Sequence, residues 1–96
     1  MYKDLDPILH SQLRLAMISM LMANEEVDFN YIREVTNATS GNISVQIKNL
    51  QEAGYIEVRK SFKNNYQNTT LKITQKGILA FEKYVESLKQ YIKMPK

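Results

Sequence analysis

Ninety-six residues, 44% hydrophobic and 24% charged, are what one globular domain needs, and they leave no room for a second core. The absence of cysteine removes disulfide frameworks and thiolate chemistry, and His10, the one histidine, leaves zinc sites and catalytic triads short of parts. No enzyme, metal or cofactor is therefore expected, and the net charge of +3 is too small to name a partner until its distribution is considered.

The segment Met1 to Pro7 carries acids where a signal peptide needs bases and then apolar residues. No apolar run approaches the roughly 18 residues that span a bilayer, so a cytoplasmic location with no membrane partner is expected. From Ser11 to Ala23 the residues SQLRLAMISMLMA are good helix formers. Leu13, Met17, Met20 and Leu21 form one stripe, yet Leu15, Ile18 and Met22 lie off it, so both sides of this helix need cover. Asp28 can cap a second helix through Thr36, with Phe29, Ile32 and Val35 turned inward. Thr39 or Ser40 caps a third helix over 40–53, closed by Gly54. On it Ile43, Ile47 and Leu50 repeat at helical spacing and form the buried stripe, while Asn42, Val45, Lys48, Asn49 and Glu52 point away.

After Gly54 the period changes to that of a strand. Ile56 and Val58 alternate with Glu57 and Arg59 in a run over 55–62, and Leu71 and Ile73 alternate with polar neighbours in a run over 69–74. The intervening Lys63 to Asn68 is rich in asparagine, which tolerates turn conformations, so the two runs form a hairpin with a polar, cationic tip. Thr74 caps a last helix over 75–92, on which Ile78, Phe81, Val85, Leu88 and Ile92 recur at spacings of three and four. Tyr84 and Tyr91 flank that seam.

Charge follows these elements. Residues 1–40 hold three bases against six acids, whereas residues 41–76 hold six bases against two acids, a local excess of +4. A basic segment containing the third helix and the hairpin points to a polyanion, with nucleic acid first. The fold class is mainly α with a small β hairpin. The order helix, helix, turn, helix, hairpin, helix is that of a winged helix-turn-helix domain with a long C-terminal helix.

The run TSGNISVQIKNLQEAGYI over 39–56 resembles the recognition helix and first wing strand of MarR/ArsR-type winged-helix regulators. The likeness lies in the capped start, the pair Ile43-Ser44, Leu50, and Glu52 through Ile56. The opening LDPILHSQLRL and the later TTLKITQKGILAFEKY are similar to short stand-alone members, and the likeness extends over roughly residues 5 to 92. It implies a bacterial or archaeal dimeric transcriptional regulator. The Cys and His ligands of metal-sensing members are absent, so their sensing chemistry does not carry over, and any small-molecule effector is left open.

If the third helix enters the major groove of double-stranded DNA, Ser44, Val45 and Lys48 are its foremost base-contact residues. Ser44 can donate or accept, Val45 can meet a thymine methyl, and Lys48 can reach guanine or a phosphate. Thr39, Ser40, Gly41, Asn42, Gln46 and Asn49 complete the expected helix contacts, with Gly41 at the positive end of the dipole. Arg59, Lys60 and Lys63 are expected as phosphate clamps on the wing, and Asn64, Asn65 and Tyr66 as tip contacts. His10 is expected as a surface residue. A homodimer doubles the contacts, with Leu15, Ile18, Met22, Phe81, Val85, Leu88 and Ile92 as interface candidates. The composite expectation is a DNA-binding regulator, most simply a repressor on a pseudo-palindromic operator. The alternative is a winged helix that meets another protein instead of DNA.

Overall fold

The computed structural model describes residues 2–92, with only the backbone described at Lys63. The elements in chain order are α1 (Gln12–Ala23), β1 (Val27–Asp28), α2 (Phe29–Thr36), α3 (Ser40–Glu52), β2 (Ile56–Lys63), β3 (Tyr66–Ile73) and α4 (Gln75–Ile92). Three strands form one antiparallel sheet in the order β1-β3-β2. The two-residue strand β1, with Val27 opposite Leu71 and Asp28 opposite Thr70, is an addition to the expected hairpin. Two residues are too few to display a period, and Asp28 was already engaged as a helix cap.

Local chemistry explains most boundaries. Asp28 accepts a hydrogen bond from the Tyr31 amide at 2.7 Å, and Thr39 accepts one from the Asn42 amide at 3.1 Å, so each helix of the helix-turn-helix starts on a side-chain cap. Asn37 ends α2 in the left-handed conformation, with φ of 60°. Gly54, at φ of 80°, turns the chain from α3 into the sheet. The expected six-residue loop is much shorter than anticipated. The strands continue to Lys63 and from Tyr66, leaving only Asn64 and Asn65, both at positive φ, as a two-residue turn. Asparagine is the residue other than glycine that enters this region most readily, and two successive positive φ values match the twist of a hairpin.

The core joins Leu9, Met17, Ile18, Leu21, Ile32, Ile43, Leu50 and Leu71, all essentially inaccessible to water. Two sequence expectations fail here. Val35 is exposed, not inward, because the short α2 buries only Ile32 completely while Phe29 packs partly against the core. Ile18 is fully buried within its own chain and has no surface left for a partner, so it is removed from the interface set. The second side of α1 is covered largely by its own domain, with Leu13, Leu15 and Met20 packed partly against the core and Met22 exposed.

Helix α4 is anchored by Thr74, whose hydroxyl donates to the Gly54 carbonyl at 2.7 Å and accepts from the Gly77 amide at 3.0 Å. Gly77 lies so close to the residue preceding β2 that a Cβ there would stand 2.3 Å from the Tyr55 carbonyl oxygen. Gly77, Tyr84 and Ser87 are the face of α4 that the domain buries. Tyr84 is thus a core residue, not a flank of an outer seam, and its hydroxyl lies 3.1 Å from His10 Nδ1. The molecule is elongated, 58 × 26 × 21 Å, with a radius of gyration of 14.7 Å. A compact chain of this length has about 12.5 Å, so helix and wing project from the core.

Candidate nucleic-acid interface

Helix α3 separates into a buried row, an internally bonded row and a free row. Ile43, Ile47 and Leu50 fill the core, which forces residues about 100° around the helix toward solvent. Ser44, Val45 and Lys48 occupy that outer face, and Val45 keeps 54% of its surface exposed. Ser40 and Gly41 are exposed in the first turn. A Cβ on Gly41 would meet nothing within 4 Å, so packing places no demand for glycine there.

The third row is bound by Arg14 of α1. Its Nε donates to the Ile8 carbonyl at 2.6 Å, and its Nη1 donates to Gln46 Oε1. Gln46 Nε2 in turn donates to Asn42 Oδ1 at 2.9 Å, and Asn49 Nδ2 donates to Gln46 Oε1 at 3.3 Å. Asn42, Gln46 and Asn49, each expected to face a duplex, therefore already have partners. The structure divides the expected contacts into free groups and committed ones. A lone arginine within an apolar helix was the available signal, but its reach across the fold is not legible in spacing.

On α2, Arg33 Nη1 donates to Ser40 Oγ at 3.1 Å, placing an exposed guanidinium at the N-terminus of α3. Sequence reasoning omitted this residue because it lies in the acid-rich third of the chain. Helix N-termini and guanidinium groups both favour phosphate.

The wing follows from register. Val58 pairs with Leu71, Lys60 with Thr69 and Phe62 with Gln67, and directly opposed residues share a face, as do alternate residues along a strand. That face begins in the core at Leu71 and runs outward. Its Lys60 and Thr69 line a cleft of about 260 Å³ together with Ser44, Lys48 and Gln51 of α3. Helix and wing thus present two cations and two hydroxyls to one concave surface. Arg59 points to the opposite face, where it lies 3.8 Å from Glu26 in an exposed ion pair. Such a pair is weak enough for a phosphate to displace. Asn64, Asn65 and Tyr66 are exposed at the tip, while the side chain of Lys63 lies outside the described residues. Phe62, 80% exposed, is a wing residue that alternation alone did not single out.

Of the remaining interface candidates, Leu15, Phe81, Val85 and Leu88 are half-buried, Met22 is exposed, and Ile92 is 72% exposed near the end of α4. Leu79 adds an exposed apolar side chain that the expected seam omitted. Among the described residues no group of three or more His, Asp or Glu side chains is placed to hold a metal, and no helix is long and apolar enough to cross a membrane.

Comparison with known proteins settles the family. The profile described as a winged helix DNA-binding domain matches residues 13–92. The chain belongs to this winged-helix family. The winged-helix domain is also 36% identical over 86 residues to the protein MJ0432 of Methanocaldococcus jannaschii, an alignment covering 90% of this chain and 94% of that one. The transcriptional regulator homologue of Pyrococcus horikoshii superposes with a TM-score of 0.81 at 27% identity, covering 88% of this chain and 84% of that structure. The mutant MarR of Escherichia coli solved in complex with operator DNA superposes with a TM-score of 0.71, over 90% of this chain and 61% of that one. At 14% identity the likeness to MarR is one of fold. The winged-helix architecture with a long final helix expected from the sequence is thus the one these regulators share.

Proposed function

We propose that this winged-helix domain is a sequence-specific double-stranded DNA-binding transcriptional regulator, acting as a homodimer and most simply as a repressor on a pseudo-palindromic operator. The carrying observation is the concave surface formed by Ser44 and Lys48 of α3 with Lys60 and Thr69 of the wing. A groove about 12 Å wide admits one helix, and Ser44, Val45 and Lys48 are the free side chains that reach base edges from it. Lys60, Arg59 and Arg33 meet flanking phosphates and fix orientation. The committed polar row of Asn42, Gln46 and Asn49 holds α3 at a set angle on α1 and contributes less readout.

A second copy supplies the second half-site. Phe81, Val85, Leu88 and Ile92 form a face of α4 beside the one the domain buries; Phe81 and Leu88 keep partial contact with the core, while Val85 and Ile92 stand outside it. Leu15 and Met22 of α1 are further apolar candidates for contact with a partner, whereas Leu79 lies on the opposite side of α4. The two recognition helices then read sites about one helical turn apart.

Selection of bound duplexes from a random pool tests the proposal. An inverted repeat whose halves lie about 10 bp apart is the expected product. Lys48→Glu should abolish retention, since it replaces a cation with an anion at the phosphate-rich surface. Failure of the wild-type chain to retain any duplex at low salt would refute the reading and favour a protein partner for the same face.

A further inference from the structure

We propose that Phe62 is an apolar reading element of the wing, a ring that enters the minor groove beside the major-groove segment met by Ser44, Val45 and Lys48. This rests on the DNA-binding reading above and deepens it. The ring is 80% exposed, one residue before the end of β2, so the fold gains almost nothing from an aromatic side chain there. Its direction follows from the pleat. Phe62 lies two residues beyond Lys60 on the same face of β2, hence about 7 Å farther out from a side chain that lines the cleft with Ser44 and Lys48.

The surroundings fit a polyanionic partner, and the narrow tip fits the groove of a duplex. On that face of the hairpin, from Val58 to Phe62 on β2 and from Gln67 to Leu71 on β3, there is one cation, Lys60, and no acid. Gln67, directly opposite Phe62, supplies an amide donor suited to the acceptors on the minor-groove floor. The two-residue turn at Asn64 and Asn65 keeps the tip narrow, which a groove about 6 Å wide requires. Apolar side chains that enter this groove wedge against base steps and favour those that unstack easily. The specificity contributed by the wing is therefore a preference for deformable flanking steps, read without a hydrogen bond from Phe62.

The chain has no tryptophan, so F62W places a single tryptophan at the site, excited selectively over the six tyrosines. The probe is the duplex pool that the wild-type chain retains from random-sequence DNA. On titration with that pool the emission of F62W should be strongly quenched and shifted. F62A should bind about tenfold more weakly for each ring lost, hence about a hundredfold for a homodimer, with an unchanged salt slope because no charge is lost. F62A should also keep the wild-type melting temperature, since the ring packs against little in the free protein. Unchanged affinity in F62A together with unchanged emission in F62W would overturn the proposal while leaving DNA binding intact. A loss of self-association in F62A before any DNA is added would also overturn it, by assigning the ring to a second copy. If the wild-type chain retains no duplex, both this inference and the reading beneath it fall.

Discussion

Removing the ammonium of Lys60 tests the shared surface of helix and wing, because that group lines the cleft with Lys48 and no acid lies within ion-pair distance of it among the described residues. In Lys60→Ala one phosphate contact is lost per protomer. Each neutralised phosphate steepens the fall of log K with log salt by about 0.9, so a homodimer should lose about 1.8 from its slope. Between 50 and 200 mM salt the affinity gap between wild type and variant should therefore narrow about twelvefold. Fluorescence anisotropy on one labelled duplex at four salt concentrations measures this directly. A slope unaltered in Lys60→Ala would refute the placement of the wing on the phosphates. A loss of only about 0.9 would mean that a single chain occupies the site.

Gly77→Ala should destabilise the domain by about 1–3 kcal/mol, since the new Cβ must push α4 off the Tyr55 carbonyl, and a drop in melting temperature measures it. Val85→Asp combined with Ile92→Asp should convert a dimer to a monomer in sedimentation at tens of micromolar without loss of helix signal, and a wild-type chain that is already monomeric there defeats the dimer. Tyr55 is raised to about 12, first by burial and then by the hydrogen bond its hydroxyl donates to Asp6 and by the Asp6 charge. The protonated form is thus the one the fold favours, so its stabilisation is complete below pH 10 and disappears as pH rises toward 12. Tyr55→Phe should be less stable than wild type at pH 8, by about 1 kcal/mol, and the difference should close across that alkaline window in denaturant titrations.

Much of this architecture is legible in the chain because its signals are local. A cap needs only an oxygen three residues before an orphan amide, which is why Asp28, Thr39 and Thr74 mark helix starts correctly. The buried stripe of Ile43, Ile47 and Leu50 is equally visible, since a period of 3.6 residues is a property of the helix itself. That stripe alone sends Ser44, Val45 and Lys48 outward. Long-range pairing decided what those rules could not. Whether Gln46 was free depended on Arg14, 32 positions away, and whether Ile18 could face a partner depended on how much of α1 its own domain covers. That β2 continues past the core and leaves Phe62 in solvent depended on its pairing with β3 as far as Gln67, which the alternation of one strand does not reveal. Periodicity and capping act within a few residues and survive in the unfolded chain as sequence, whereas the sharing of one polar group or one apolar face among distant segments exists only after the backbone has brought them together.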